Sequence, residues 1–222
     1  NGFAADMLIG AGCVASVECA AVSLGEAGLA PRFSAAVEAG TVKIKDSTCP
    51  AIHTALQATE KGVPFMPLGG LIGSDILNNR DDWKVVDDPL GQGHGRIVLI
   101  PAIQPDVAII HSPLADRDGN VWIGRRRELA TIAHAAKTLL VTVEAFQDES
   151  LLANEASAAA TLPGFYVSAV AEAKMGAKPL GLVEHYAADT DEIAAYARAA
   201  RSEAGFDAYV QRTVFGAQVA AE

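Results

Sequence analysis

The feature that most constrains the fold is a pair of short apolar runs, residues 107–110 and 139–143, both rich in β-branched residues. Neither run alternates apolar with polar residues, a pattern typical of strands buried on both faces of a parallel sheet. Between the runs lie the turn residues Asp118-Gly119-Asn120 and a helical pattern over residues 128–136. A strand, a turn, a helix and a second strand in this order predict an α/β fold with an open, mostly parallel sheet flanked by helices.

The composition is that of a globular protein with a sizeable core. The chain has 222 residues, of which half are hydrophobic and a fifth are charged. Its formal net charge of −10 argues against a general nucleic-acid or anionic-membrane surface, because either surface needs clustered Lys and Arg. No apolar run approaches the roughly 20 residues needed to cross a bilayer. We therefore expect neither nucleic acid nor membrane among its partners.

The three cysteines, Cys13, Cys19 and Cys49, are odd in number and lack the spacing of a metal site. A disulfide framework and a bound metal are therefore not expected, and the reducing cytoplasm is the predicted compartment. The chain has no internal repeat, low-complexity tract or long linker, which predicts a single α/β domain over residues 1–222.

Local patterns predict the remaining elements. Helices are expected over residues 31–39, 50–61, 190–201 and 203–214, and strands over residues 14–22, 42–44, 96–100 and 166–171. The polar segment 78–92 predicts a surface excursion. Ser47 and Thr48 are both natural N-caps for the helix that follows them. Three glycines beside Ser74, in the segment 69–74, predict a flexible loop whose backbone could approach a ligand closely.

Several catalytic signatures do not occur. No glycine-rich segment completes GxGxxG or GxxxxGK[ST], which argues against kinase, GTPase and dehydrogenase functions. No GxSxG is present, which disfavours an α/β-hydrolase with a serine nucleophile. The acidic segment 116–120 has its glycine too early for a calcium loop and is flanked by strands, so it predicts a β-turn.

Individual polar residues leave two interpretations open. His111 follows a buried run, so it lies either at a ligand-binding strand end or in the core as a hydrogen-bonded packing residue. Cys49 begins a helix with His53 one turn on, so it is a reactive thiol or a small structural one. Glu18 marks a strand edge or a site that raises its pKa. The basic run Arg125–Arg127 is a solvated helix start or a contact for a phosphate or an acidic partner.

Four segments resemble one family when taken together, in order, from about residue 6 to residue 214. They are DMLIGAGCVASVE, GVPFMPLGGLIGSDI, PAIQPDVAIIHSPLADRDGNVWIG and AAKTLLVTVE. The set resembles the α subunit of family I coenzyme A transferases, in particular the glutaconate CoA-transferase branch. The resemblance implies the CoA-transferase (NagB/RpiA-like) fold and a heterotetramer in which the partner is a related β subunit. It also implies that the active site lies in the cleft between the subunits.

The resemblance further implies a mechanism. In this family a glutamate attacks an acyl-CoA, passes through an acyl-glutamyl anhydride and becomes a glutamyl-CoA thioester, from which CoA passes to a second carboxylate. Coenzyme A is then a substrate, and no tightly bound cofactor is expected. Substrates are an acyl-CoA and a carboxylic acid.

This sequence departs from the family in two ways. The nucleophilic glutamate usually belongs to the β subunit in an E-x-G setting, and the segment 25–28 is only superficially similar, so no catalytic residue is expected in this chain. The glycine-rich leader that precedes DMLIG in the family does not occur here, so we expect a missing N-terminal segment. The residues expected to contribute to the cleft are Asp46, Ser47, Gly69, Gly70, Ser74 and His111.

Two alternatives stay open. Some relatives on this fold are hydrolases that open rings of CoA-linked steroid breakdown products, so one alternative is a subunit of a CoA-thioester hydrolase. The other is a non-catalytic sensor of sugar phosphates. A sensor of that kind normally carries an appended DNA-binding or other module, which this sequence does not show.

Overall fold

The computed structural model describes residues 2–91, 93 and 95–216. It is a mixed α/β structure whose sheets are flanked by helices, as the sequence predicts. The chain forms two compact units: the first contains Asn1–Asp46 and Lys178–Glu222, and the second contains Ser47–Ala177. The expectation that all 222 residues form a single domain stays a prediction.

Helices and strands are numbered in chain order. The helices are α1 (Phe3–Gly10), α2 (Pro31–Ala39), α3 (Cys49–Glu60), α4 (Arg127–Ala135), α5 (Glu155–Ala158), α6 (Thr190–Ala199) and α7 (Glu203–Val210). The strands are β1 (Ser16–Cys19), β2 (Lys43–Asp46), β3 (Phe65–Leu68), β4 (Lys84–Asp87), β5 (Arg96–Pro101), β6 (Val107–Asp116), β7 (Val121–Trp122), β8 (Thr138–Gln147), β9 (Thr161–Leu162) and β10 (Ala169–Glu172). Within the described ranges, no helix is long and apolar enough to span a membrane.

The first unit is built on helices and a two-stranded parallel sheet of β1 and β2. Its core is aromatic: the Phe3 and Tyr196 ring centroids lie 4.6 Å apart, and Tyr209 meets Tyr196 edge-on at 5.0 Å. Phe206 of α7 is buried in the same cluster. These rings bring α1, α6 and α7 together, because aromatic side chains bury the largest apolar area per residue.

A buried carboxylate, Asp6 of α1, caps the start of α2. The residue before α2, Ala30, has no side-chain acceptor for the first N–H groups of the helix. The Asp6 carboxylate accepts instead from the backbone N–H of Phe33 at 2.6 Å and of Arg32 at 3.4 Å. It also accepts from the Tyr196 hydroxyl at 2.8 Å. Burial, together with this bond to Asp6, raises the pKa of Tyr196 well above its usual range.

The second unit contains a five-stranded sheet in the order β10-β8-β6-β7-β9. β10, β8 and β6 run parallel, whereas β7 and β9 pair antiparallel. Helix α4 lies between β7 and β8 in the chain and packs on one face of this sheet. On that face Ala108, Ile110, Leu139 and Val141 are buried with Ala133 of the helix. A second sheet, antiparallel and ordered β3-β5-β4, packs with α3 around Val98 and Ile100.

The two central strands are longer than the sequence predicts. β6 extends to Asp116 and β8 to Gln147, and their parallel register runs from Val107 opposite Thr138 to Asp116 opposite Gln147. The apolar runs mark only the first halves of these strands. Polar residues do not end a strand when its backbone ladder continues and the side chains find partners across the sheet.

The expectation of a surface excursion over residues 78–92 is wrong in part. Trp83 is buried in the second core, and β4 pairs with β5. The Arg80 guanidinium lies 4.1 Å from the Trp83 ring centroid and binds both carboxylate oxygens of Asp82, at 2.7 and 2.9 Å. The paired charge and the apolar contact allow a sequence that looks polar to cover a core.

Candidate functional site

A cluster of polar side chains lies on β6 and β8, on the face of the sheet opposite α4. His111 of β6 is directly opposite Thr142 of β8, and Glu144 follows two residues further along the same strand. Side chains alternate between faces along a strand, so these three share the face that Ile110 and Val141 do not. The cluster therefore depends on the β6–β8 register.

Each polar atom of the cluster has a partner. Nδ1 of His111 lies 2.8 Å from the Thr142 hydroxyl, and Nε2 lies 2.8 Å from Oε1 of Glu144. The His111 and Glu144 side chains are each only 15% exposed. A hydroxyl can donate or accept, so Thr142 satisfies Nδ1 in either protonation state of the imidazole, while Nε2 donates to the carboxylate.

The Glu144 carboxylate also binds a backbone turn. Oε2 accepts from the N–H of Met175 at 2.6 Å, and Oε1 accepts from the N–H of Gly176 at 3.1 Å. Met175 adopts φ +56°. A Cβ at position 176 would lie 2.7 Å from Cε1 of His111, so only glycine allows the turn to lie this close to the imidazole. We call the segment 173–177 the clasped turn.

His111 lies in the middle of β6 and not at its carboxyl end, which corrects the sequence-based placement. β6 continues for five residues beyond it, because Ser112 to Asp116 keep the ladder with β8. With both ring nitrogens bonded inside the unit, the geometry favours the packing interpretation of His111. Its contribution to a substrate cleft stays a prediction.

The segment 116–120 forms the β-turn that the sequence predicts, joining β6 to β7. The buried Asp116 carboxylate accepts from the backbone N–H of Asp118, Asn120 and Leu151 at 3.0, 2.9 and 2.8 Å, and from the Asn120 amide at 2.8 Å. Burial alone would raise the pKa of Asp116, but these hydrogen bonds outweigh it and hold the pKa below its usual range. All of these acceptor contacts are made within the protein, so the turn is structural.

The glycine loop follows β3 in the second unit. A Cβ at Gly69 or Gly70 would meet nothing within 4 Å, whereas Gly73 adopts φ +86°. The Ser74 hydroxyl accepts from the N–H of Ile76 at 3.3 Å and caps the 3₁₀ turn Asp75–Asn79. The space beside Gly69 and Gly70 leaves their backbone accessible, as a loop that donates to a ligand requires.

Ser47 differs from the other predicted cleft residues because its buried hydroxyl has no partner in the part of the chain that the structure describes. Thr48, and not Ser47, is the N-cap of α3: its hydroxyl accepts from the N–H of Ala51 at 3.2 Å. Ser47 is 3% exposed, and its Oγ has no hydrogen-bond partner among the described residues. A buried polar atom of this kind costs about 1–3 kcal/mol unless something binds it.

The family follows from a comparison of the sequence with protein-family models. The coenzyme A transferase model matches residues 1–173, more than three quarters of the chain. The chain belongs to the coenzyme A transferase family. The match includes β6, the turn 116–120 and Glu144, and it ends at the start of the clasped turn.

Individual relatives agree with this family. The A subunit of glutaconate CoA-transferase from Acidaminococcus fermentans is 30% identical over 228 residues, covering 95% of this chain and 70% of that one. A crystal structure of glutaconate coenzyme A-transferase from the same organism matches with a TM-score of 0.88 at 29% identity, over 95% of this chain and 71% of the other.

Two further relatives extend the comparison. The A subunit of 3-oxoadipate CoA-transferase from Pseudomonas knackmussii is 30% identical over 219 residues, 95% of this chain and 74% of that one. An uncharacterized protein of Archaeoglobus fulgidus is 37% identical over 216 residues, 95% of this chain and 47% of its own length. The chain thus spans about half the length of one relative and about seven tenths of the other two.

The predicted cleft residues of this coenzyme A transferase chain are not joined to one another by hydrogen bonds in the second unit. Ser47, Gly69, Gly70, Ser74 and His111 all lie in that unit, and no hydrogen bond links any two of them in the described residues. Asp46 ends β2 and belongs to the first unit. Their assignment to a substrate cleft stays a prediction.

Three further candidates from the sequence, Glu18, Cys49 and the run Arg125–Arg127, lie in separate elements of the structure. Glu18 lies in β1 opposite Lys45 of β2. Cys49 is exposed at the first position of α3. The run Arg125–Arg127 precedes and begins α4, with Nε of Arg126 3.2 Å from the Ile123 carbonyl. In the part of the chain that the structure describes, no group of three or more His, Cys, Asp or Glu could hold a metal ion.

Sequence reasoning missed Thr142, Glu144 and the clasped turn. A signal for the first two exists: in the segment VTVEA, polar residues alternate with buried valines, which indicates a strand with one polar face. Nothing local indicates that the backbone of Met175 and Gly176 meets Glu144, because about thirty residues separate them.

Proposed function

We propose that this chain is the α subunit of a heteromeric CoA-transferase that moves CoA from an acyl-CoA donor to a carboxylic acid. The observation that carries the proposal is the 30% identity to the A subunit of glutaconate CoA-transferase across 95% of the chain, together with the TM-score of 0.88 for a glutaconate coenzyme A-transferase structure. The partner is a related β subunit in a heterotetramer. Coenzyme A enters as a substrate, with no tightly bound cofactor.

The proposed chemistry uses a glutamate of the partner subunit. Its carboxylate attacks the thioester carbonyl, and the C–S bond breaks to give an acyl-glutamyl anhydride and the CoA thiolate. The thiolate then attacks the glutamyl carbonyl, which releases the first acid and leaves glutamyl-CoA. The acceptor acid repeats these steps in reverse. A carboxylate nucleophile divides the exchange into steps of similar energy, and no oxidant or metal is required.

This chain's contribution to the cleft is hydrogen bonding to oxyanions and carboxylates. The Ser47 hydroxyl is buried and unpartnered in the described residues, so a ligand oxygen would give it the missing bond. Gly69 and Gly70 have open space where a Cβ would stand, so their backbone N–H groups are candidates for an oxyanion hole, each worth on the order of 3 kcal/mol. The proposed cleft also contains Ser74, His111 and Asp46, of which the Asp46 carboxylate can only accept, from a hydroxyl or N–H group of a substrate.

The described carboxylates do not supply the nucleophile in this proposal. Glu26, one of several glutamates that stand two residues before a glycine, lies exposed in the 3₁₀ turn Gly25–Ala27, beside a small cavity lined by Leu24, Thr190 and Ile193. Glu144 is held by His111 and the clasped turn. The proposal places the enzyme in the cytoplasm, which three free cysteines support.

The test is reconstitution with the β-subunit homologue of the source organism. Glutaconate and 3-oxoadipate are first acceptors to try, with acetyl-CoA and succinyl-CoA as donors. Transfer is followed by mass spectrometry of the CoA products. The purified pair is also incubated with donor and no acceptor, reduced with borohydride, and digested to find the modified glutamate.

The proposal predicts that the added acid becomes an acyl-CoA and that the β subunit carries the modified glutamate. The transfer claim is contradicted by a pair that releases free CoA and acid without an acceptor and never forms a new thioester, which would indicate a hydrolase. Tight binding of a sugar phosphate without any affinity for CoA thioesters would indicate a sensor.

A further inference from the structure

The clasped turn closes over the imidazole of His111, whose two ring nitrogens are both bonded within the second unit. Nδ1 lies 2.8 Å from the Thr142 hydroxyl, and Nε2 lies 2.8 Å from Oε1 of Glu144. Gly176 closes a further side of the ring, since a Cβ at this position would lie 2.7 Å from Cε1. Each ring nitrogen makes one hydrogen bond, so a substrate can bond to this imidazole only after one of these neighbours has moved.

Met175, in the middle of the clasped turn, adopts a conformation that its own backbone disfavours. Its φ of +56° lies in the left-handed region, where a residue with a Cβ is strained. Such a conformation persists only where the surroundings impose it. The N–H of Met175 is bound at 2.6 Å by Oε2 of Glu144. Loss of this bond therefore allows the backbone of Met175 to relax.

A single carboxylate holds both the clasped turn and the imidazole. Glu144 accepts from the backbone N–H groups of Met175 and Gly176 and from Nε2 of His111. The N–H of Gly176 also lies 3.0 Å from the Ala173 carbonyl, so it keeps a bond when the turn leaves the carboxylate. Of the two backbone donors, only the N–H of Met175 loses its partner, and water replaces that bond at little cost. Few bonds therefore need to break for the turn to move as a local unit.

The start of the clasped turn is fixed by the sheet. The N–H of Ala173 donates to the Val143 carbonyl at 2.7 Å, which continues the ladder between β10 and β8. The next residue, Lys174, makes an exposed ion pair with Glu172 at 3.4 Å, a contact that contributes little to stability. Movement of the turn is therefore confined to the residues that follow Ala173.

We propose that the clasped turn acts as a strap, which opens and closes over the His111 imidazole while β6 and β8 stay paired. In the open state Glu144 has lost its backbone donors and is no longer held in place. Nε2 of His111 is then able to exchange the carboxylate for a carbonyl or carboxylate oxygen of a substrate. This last step rests on the proposed function, which brings an acyl-CoA and a carboxylic acid to the cleft that includes His111.

The first experiment follows amide hydrogen exchange in the isotope-labelled full chain by NMR, with each rate corrected for its intrinsic value. The reference amides are those of Val141 and Val143, which are buried in the ladder of β8. We expect the amides of Met175 and Gly176 to exchange at least about 100-fold faster than these. Their rates should not change in about 1 M urea, because local opening exposes little surface, whereas the β8 amides should accelerate. Equal rates in the turn and in β8, or turn rates that rise with urea as steeply as those of β8, overturn the proposal.

The second experiment labels the histidines with diethyl pyrocarbonate and measures each one by mass spectrometry. In the wild-type chain His111 should react about 100-fold more slowly than the exposed His185. Glu144→Gln and Gly176→Ala should each accelerate the labelling of His111 by about 10-fold or more, because each opens the clasped turn. The control Glu172→Gln should change it by less than about 3-fold, and His185 should react alike in every variant.

The variant Gly176→Ala gives a result even if Glu144→Gln does not fold. Unchanged labelling of His111 in both variants overturns the proposal. So does labelling of His111 that rises with urea as steeply as the exchange of the β8 amides, because the imidazole would then become accessible only by global unfolding.

Exchange and labelling are measured on this chain alone, so the two proposals fail separately. In the reconstituted pair, saturating acyl-CoA should slow the labelling of His111 by about 10-fold, and unchanged labelling would show that His111 does not contact the substrate. A clasped turn that opens in a chain whose reconstituted pair transfers no CoA contradicts the proposed function alone. A pair that transfers CoA, while the amide of Met175 exchanges only by global unfolding, contradicts the opening of the clasped turn alone.

Discussion

Nε2 of His111 lies 2.8 Å from Oε1 of Glu144, and the same carboxylate accepts from two backbone N–H groups of the clasped turn. Three donors thus converge on one largely buried carboxylate. The contact ties β6, β8 and the segment after β10 to one another. Each member has a hydrogen-bond partner inside the second unit, so the contact fixes the position of the His111 imidazole.

The substitution Glu144→Gln should destabilise the second unit by about 2 kcal/mol, because the amide NH2 must face a donor where the carboxylate had an acceptor. Urea unfolding followed by circular dichroism measures the change. The control is Glu172→Gln, which breaks an exposed pair with Lys174 and should cost less than about 0.5 kcal/mol. Equal effects of the two substitutions would contradict the role given to Glu144.

The substitution Gly176→Ala tests the close approach of the clasped turn to the imidazole. The new Cβ would stand 2.7 Å from Cε1 of His111 and 2.7 Å from the Ala173 carbonyl oxygen, so the turn must move, at a cost of roughly 1–3 kcal/mol. Gly70→Ala is the matched control, since its Cβ meets nothing within 4 Å. Thermal unfolding should show a lower Tm for the first variant only.

Asp116 should make the stability depend on acid pH. Its pKa is lowered in the folded state, so its stabilising contribution is present above its unfolded pKa of about 3.9 and is lost as pH falls through the lower folded value. Asp116→Asn should cost about 3 kcal/mol at pH 7 and should flatten the decline in stability below about pH 4. The exposed Asp118→Asn serves as control. If the stability of Asp116→Asn declines with acid pH as steeply as that of the wild type, Asp116 is not the group responsible.

Tyr196 should make the stability of the fold depend on alkaline pH. Burial and the bond to Asp6 raise its pKa, so the stabilisation is complete below the unfolded pKa of about 10 and is lost as pH rises through the folded value. Tyr196→Phe removes a donor from buried Asp6 and should cost roughly 1–3 kcal/mol at neutral pH. Urea titrations from about pH 8 to pH 11 should show a smaller alkaline loss in the variant than in the wild type. Tyr166→Phe, in the other unit, is the control.

The substitution Ser47→Ala tests whether the Ser47 hydroxyl contributes to stability or to substrate binding. Removing a buried hydroxyl that has no partner in the described residues should leave the stability unchanged or raise it slightly. In the proposed cleft the same change removes a bond to substrate and should lower kcat/KM of the reconstituted pair by about 10-fold to 100-fold. If the variant keeps the wild-type kcat/KM, the proposal that Ser47 contributes to the cleft is wrong.

Local signals determined much of the architecture. The β-branched runs predicted parallel strands, because such runs are typical of a covered parallel sheet. The structure confirms the strands, but Val107, Ile109 and Leu140 are exposed on one face of the sheet. Pro31 and Gly40 predicted the bounds of α2, because proline fits a first helical turn and glycine adopts the left-handed conformation that ends a helix. The turn 116–120 was predicted in the same way. In each case the residues that determine the strand, helix end or turn are neighbours in the sequence.

The tertiary structure decided what depends on distant residues. Asp6 caps a helix that begins about 25 residues later, Glu144 binds a turn about 30 residues later, and the polar segment around Trp83 covers a core. His111 became a mid-strand residue because the ladder with β8 continues past the apolar run. Periodicity cannot reveal such pairings, since they arise from register and packing. The sequence alone therefore determined the family and the sheet, while the exposure of Ile109 and the bonds of His111 came only from the three-dimensional arrangement.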